Sequence, residues 1–144
     1  MQGEKAMTEV NPPKMPESVR IEIVEIARKL GWCPVATSTG KDAYKKLLTL
    51  RKGDVTICID RDIGFSRAGV MKQLKVVMHP KQFLPGLAKA GSTIREYINR
   101  DTKINWHKHS GYQQFDHSGE GEPAGMGYAV KDLVAMETLL VSLC

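Results

Sequence analysis

Residues 44–60 read YKKLLTLRKGDVTICID. Two runs of strand-favouring residues flank Arg51-Lys52-Gly53-Asp54, a cluster suited to a turn. In the second run Val55, Ile57 and Ile59 face one way, and Thr56, Cys58 and Asp60 face the other. The stretch predicts two strands joined by a turn, in a sheet with one apolar and one polar face. Further on, VMKQLKVVMH (70–79) predicts another strand. Leu74, Val76 and Met78 would take its core side, with Gln73 and Lys75 opposite, beside Asp60 or Asp54.

Upstream, PESVRIEIVEIARKLG carries Val19, Ile23, Ile26, Ala27 and Leu30 at helical spacing. Gly31 suits the position just past the helix end, and Arg28 and Lys29 suit the negative end of its dipole. WCPVATST reads as a short strand. Pro80 closes the 70–79 strand, and Pro85-Gly86 and Gly91 interrupt the segment after it. Ser92 or Thr93 would start a helix through Asn99. Residues 101–127 read as a long polar loop, with KINWH and GYQQF as short strands within it, and YAVKDLVAMETLLVSL as a closing helix. The expected fold is a single α+β domain over 17–144. Its mainly antiparallel or mixed sheet of three to five strands packs against two or three helices. Residues 1–16, with Pro12, Pro13 and Pro16, read as a disordered tail.

The chain has 144 residues, enough for one core, and no apolar run long enough to span a bilayer. The polar N-terminus lacks the apolar stretch of a secretion signal, so a cytoplasmic location is expected. Cys33, Cys58 and Cys144 form no Cys-x-x-Cys pair and argue against a disulfide framework; Cys33 and Cys58 are expected to be buried thiols. The net charge of +5 is unevenly spread, since residues 41–81 hold ten Lys/Arg against four Asp while residues 116–144 hold one against five acids. A basic middle points to a polyanion, DNA or RNA. Lys45, Lys46, Arg51, Lys52, Arg61, Arg67 and Lys72, with Lys41 and Lys75, are the candidate phosphate contacts. Tyr44, Phe65, Trp106 and Tyr112 are candidates to stack on unpaired bases.

Asp54 at a strand start, followed by Gln73-Leu74-Lys75 on the next long strand, resembles in part the restriction-endonuclease-like nuclease core. That resemblance implies a metal-dependent nuclease with Mg²⁺ as its cofactor. Asp54, Gln73 and Lys75 would be the site, with Glu22 or Glu25 contributed by the preceding helix. Gln73 stands where that family has an acid, and Gly53 where a proline is expected. A neutral carbonyl holds a dication less firmly than a carboxylate does.

NWHKHSGYQQFDH (105–117) offers His107, His109 and His117, with Asp116, as candidate ligands for Zn²⁺ or another transition metal. The same groups suit general acid–base chemistry. His79, before Pro80, reads as structural. TSTGK and GEGEPAGMG have glycines but not the spacing of a phosphate loop. Three functional classes emerge: a protein that binds nucleic acid through a basic sheet, a metal-dependent nuclease, and a protein-binding accessory or inhibitor module of a mobile element. The last would use the acidic C-terminal end or the 101–127 loop.

Overall fold

The computed structural model describes residues 14–35, 47–89, 92–108 and 124–143. Helix α1 (Glu17–Lys29) leads into β1 (Cys33–Pro34), the hairpin β2 (Leu47–Lys52) and β3 (Val55–Asp60), and β4 (Leu74–Met78). Two short 3₁₀ turns, Pro80–Gln82 and Pro85–Leu87, precede β5 (Ile94–Glu96). Strands β6 (His107–Lys108) and β7 (Ala124–Val130) and helix α2 (Leu133–Ser142) complete the described elements.

The strand order is β1-β2-β3-β4-β7-β5, with β6 also on β7, and every pairing is antiparallel. The fold is therefore α+β, with seven strands where three to five were expected. Alternation along β2, β3 and β4 divides the sheet as their sequences predict. Leu48, Leu50, Ile57, Ile59, Leu74, Val76 and Met78 join Ile23 and Ala27 of α1 and Ala135, Met136, Leu139 and Leu140 of α2 in one buried cluster. Both helices thus cover one face of the sheet. The other face carries Leu47, Cys58 and Val77 as a smaller buried group, with Thr49, Asp60 and Lys75 at alternating positions.

Helix α1 starts after Pro16, whose carbonyl accepts from Val19 and Arg20 N–H. It ends in a Schellman motif: Trp32 N–H donates to the Ala27 carbonyl and Gly31 N–H to that of Arg28, with Gly31 at φ +90°. Lys52 Nζ then donates to the Leu30 carbonyl at 2.7 Å, placing a cation on the negative end of the helix. Trp32, fully buried, donates Nε1–H to the Leu140 carbonyl at 3.3 Å and ties the two helices together.

Several sequence expectations change. Residues expected as a helix from 92 to 99 form β5 instead. Ile94, Tyr97 and Ile98 have helical spacing, but the edge of β7 offers backbone partners that an isolated helix would forgo. The closing helix begins at Leu133, not near Tyr128, because Asp132 caps it, accepting from Ala135 N–H at 2.9 Å. Tyr128, Ala129 and Val130 belong to β7, and so does the end of the expected 101–127 loop. Cys33 is exposed, Cys58 buried, and Met15, within the expected tail, is buried. The GYQQF stretch lies outside the described residues.

Gly64 shapes the β3–β4 connection. Its φ is +91°, its carbonyl accepts from Lys72 N–H, and a Cβ there would stand 2.0 Å from the Gln73 carbonyl oxygen. Gly53, in the β2–β3 turn, has φ +59° but nothing within 4 Å of a would-be Cβ. Gly53→Ala should therefore cost about 1 kcal/mol, the left-handed penalty alone. Gly64→Ala should cost more than about 2 kcal/mol, because backbone must also move. Urea unfolding of the two variants beside the parent checks the difference.

Candidate functional site

The face of the sheet away from the helices holds a cleft of about 670 Å³. Gln73, Lys75, Arg95, Tyr97 and His107 line it, together with the turn residues Asn99 to Asp101. Register explains the convergence. Lys75 pairs with Ala129, and Ala129 with Arg95, so two cations flank a methyl group across three strands. Two strand spacings separate their backbones, about 10 Å.

Lys75 Nζ lies 3.4 Å from Asp60 Oδ2 and 5.1 Å from the centre of the Tyr97 ring. The side chains of Lys75 and Asp60 retain 12% and 5% of their exposure; Lys75 lines the floor of the cleft and Asp60 lies behind it. Arg95 is exposed, and its Nη2 donates to Gln73 Oε1 at 3.3 Å. Burial raises the Tyr97 phenol above its ordinary range, and the nearby Asp60 charge adds to the effect.

The wall opposite is the segment that leaves the edge of β7 after β5, turns back on itself between Asn99 and Ile104 as a short hairpin, and rejoins the same edge at β6. Asn99 organises its turn. Its side chain accepts from Asp101 and Thr102 N–H, and its backbone N–H donates to the Ile104 carbonyl. Asn105 is buried and fastens the returning arm. Its Oδ1 accepts from Gly127 N–H at 2.7 Å, and its Nδ2 donates to the Gly127 carbonyl at 2.9 Å. His107 packs on Gly127, where a Cβ would be 3.3 Å from its ring. Its Nε2 faces two acceptors, the Tyr97 carbonyl at 2.8 Å and Asn105 Oδ1 at 3.1 Å. That oxygen is already fixed as an acceptor by Gly127, so Nε2 carries the proton and Nδ1 is the basic nitrogen. Burial, then the Lys75 charge, hold the imidazole below its usual pKa, while its bond to the Tyr97 carbonyl opposes them.

The residues singled out from sequence are dispersed over the molecule. Asp54 is exposed in the β2–β3 turn, where its carbonyl accepts from Gln82 Nε2, at the end of β3 remote from Asp60. The length of that strand, about 20 Å, separates it from the Lys75 site. Gln73 and Lys75 do share the cleft. Glu22 and Glu25 are exposed on α1, across the sheet from Lys75. The four groups do not meet, and they do not fit a Mg²⁺ site. Among the described residues no three His, Cys, Asp or Glu side chains gather as a metal site. His107 is buried, with its Nε2 committed to Tyr97 and Asn105, and His109 and His117 lie outside the described residues.

The basic residues separate too. Lys52 turns to the helix side, while Arg51 donates to the Gly53 carbonyl in the turn beside it. Arg61 reaches Glu17 at 3.7 Å, and the Glu17 carboxyl is held below its usual range, mainly by its bond with Arg20. Arg67 and Lys72 are exposed in the β3–β4 connection, at the other end of the sheet from Arg51. Lys41, Lys45, Lys46, Tyr44 and Tyr112 lie outside the described residues. Phe65 is buried and cannot stack on a base, whereas Trp106 is 40% exposed. His79 is structural, its Nδ1 accepting from Lys81 N–H at 3.0 Å. Among the described residues no helix is long and apolar enough to cross a membrane.

Arg95, Tyr97, Arg100 and Asn105 were not singled out from sequence. A signal for them exists in INRDTKI (98–104), where an Asn/Asp/Thr-rich turn sits between two isoleucines. Comparison of the chain with known protein families, curated proteins and solved structures gives no match.

The site geometry carries two expectations for stability. Replacing either Asp60 by Asn or Lys75 by Met strands a buried partner and should cost about 3–5 kcal/mol. The double variant should recover most of that loss, a coupling that urea denaturation of the cycle measures. His107 titrates at 6.5 when unfolded and lower when folded. The unfolded chain thus binds more protons between those values, so stability is full above that point and declines as pH falls below about 6.5. Thermal melts against pH should lose this component in His107→Gln.

Proposed function

We propose that the protein binds single-stranded nucleic acid through the hairpin-shaped segment that joins β5 to β6 along the edge of β7. The carrying observation is that Trp106, 40% exposed, stands on the same short hairpin as the exposed cations Arg100, Lys103 and Lys108. Cations that follow a backbone and an aromatic face that accepts any base are the two parts of sequence-tolerant single-strand binding. The hairpin is also firmly based, since Asn105 and Tyr97 both bond to Gly127 in β7. A rigid base limits the ordering cost when a flexible strand docks. The basic balance of the chain, +5 overall, favours the encounter.

A protein partner is the second reading, favoured by the exposed Ile98 and Ile104 beside Trp106. A partner would bury these apolar side chains, and a nucleic acid strand has less need of them.

Intrinsic fluorescence separates the two. Trp32 is fully buried and Trp106 exposed, so a change on adding strand reports the hairpin. Unstructured DNA or RNA oligonucleotides should quench the emission, with a slope of log K against log salt of about −2 for three neutralised phosphates. Each of Arg100→Ala, Lys103→Ala and Lys108→Ala should reduce that slope by about 0.7. Trp106→Ala, which removes the reporter and is therefore followed by the anisotropy of a labelled oligonucleotide, should weaken binding by about 1–3 kcal/mol. No binding of DNA or RNA at low salt would sink this reading. Co-purification of a protein that depends on Ile98, Ile104 and Trp106 would then support the second.

A further inference from the structure

We infer that the cleft beneath the hairpin is a site for a phosphomonoester, the terminal phosphate of a strand or that of a mononucleotide. Where the source is a strand, the inference rests on the nucleic-acid reading; where it is a free nucleotide, it does not.

The floor dictates the ligand's charge. Lys75 and Arg95 stand on either side of Ala129, whose small side chain leaves the space between them open. Lys75 is already paired with Asp60, so it orients more than it neutralises. Arg95 makes one long bond to a neutral partner, Gln73 Oε1 at 3.3 Å, and keeps the rest of its planar fork of donors for a ligand. Arg100 lines the cleft at the turn of the hairpin. Glu96 and Asp101 line it too, but Glu96 accepts from Asn105 Nδ2 at 3.3 Å, which holds it towards the base of the hairpin. The cleft thus offers two forked donors, Arg95 on its floor and Arg100 at the turn, with Lys75 beside them partly balanced by Asp60. That suits a single tetrahedral group with three acceptor oxygens better than a run of phosphodiesters.

Size points the same way. About 670 Å³ greatly exceeds what one phosphate fills and lies within the range of small-molecule sites. Tyr97, Ile98 and His107 supply apolar and aromatic wall for the sugar or base behind the phosphate. The hairpin that carries Trp106 and Lys108 outside is the same one that walls the cleft. A strand that ends on this segment would have its terminal phosphate within reach of the cleft mouth.

The test compares two pairs of probes at constant ionic strength. One pair is adenosine 5′-monophosphate against adenosine, followed by calorimetry or by chemical-shift changes. The other is one short oligonucleotide with a terminal phosphate, placed 5′ or 3′, against its hydroxyl-ended form, followed by fluorescence anisotropy. The monophosphate should bind and adenosine should bind at least about tenfold more weakly, as expected for loss of a charge-assisted contact. Arg95→Gln should remove that preference, and the parent fold should be verified in the variant by its melting temperature. If the phosphorylated strand is also preferred, and the preference vanishes in Arg95→Gln, the source is a strand end. If the mononucleotide binds and no strand does, the cleft proposal stands while the nucleic-acid reading falls. If strands bind with no preference for a phosphate end, and the monophosphate binds no better than adenosine, the cleft proposal is overturned and the nucleic-acid reading stands. Phosphate preferences that survive Arg95→Gln would also overturn it.

Discussion

The carboxamide of Asn105 holds the functional side of this protein together. Strand β5 pairs with residues 128–130 of β7 and β6 with residues 124 and 125, so Gly127 falls in the gap between them. A strand that loses its neighbour there would leave buried backbone groups unpaired, at a cost near that of a lost hydrogen bond for each. Asn105 fills the gap with its side chain, donating to the Gly127 carbonyl and accepting from its N–H as an adjacent strand would. Tyr97 N–H makes a second bond to the same carbonyl. The cleft wall, the position of His107 and the presentation of Trp106 all depend on that one substitution of side chain for backbone. Glycine at 127 is the other half of the device, because a Cβ there would press on the His107 imidazole and the Val76 carbonyl, each at 3.3 Å.

A count of basic residues overstates the positive surface. Lys52 is committed to the end of α1, Arg61 to Glu17 and Lys75 to Asp60. Each is a cation used to hold one element against another. Opposite ends of the sheet carry Arg51 and the pair Arg67 and Lys72, so they do not form a single contact face with one another. Within the described residues, the cations that share a short element with an exposed aromatic ring are those of the hairpin. Local geometry, more than total charge, is what separates a phosphate contact from a structural cation.

Legibility in the sequence divides along physical lines. The α1 periodicity, the Gly31 terminus and the alternation of β2, β3 and β4 were legible because local pattern and burial agree there. The polar face was legible as far as Lys75 beside Asp60, since a period of two fixes which side chains share a side. Strand β5 was not, because its spacing fits a helix until β7 offers an edge. Strand β7 was not, because AGMGYAV alternates glycine with apolar residues and merges with the helix behind it. Both misreadings have one root: β7 pairs with strands far from it in sequence, and no local window carries that information. The cleft lies where β4, β7 and β5 meet, so it inherits the same illegibility. Asp132 was the overlooked local signal, a cap that separates β7 from α2.

The buried Asp60–Lys75 pair limits the net charge that the cleft presents. An unpaired lysine on the floor would attract any anion and would also be expensive to bury. Pairing cancels most of its charge but leaves its ammonium fixed, between the carboxylate and the face of Tyr97. In the proposed site, discrimination falls to Arg95, whose fork is planar and makes one long bond to Gln73. A lysine at that position would supply the charge without the paired donors, so charge alone would not reproduce the site. His107, which also lines the cleft and donates its Nε2–H to the Tyr97 carbonyl and Asn105 Oδ1, is held below its usual pKa by burial and then by Lys75, so it adds no positive charge at neutral pH. The proposed phosphate site thus rests on shape and donor geometry, and the proposed strand contact on charge and stacking.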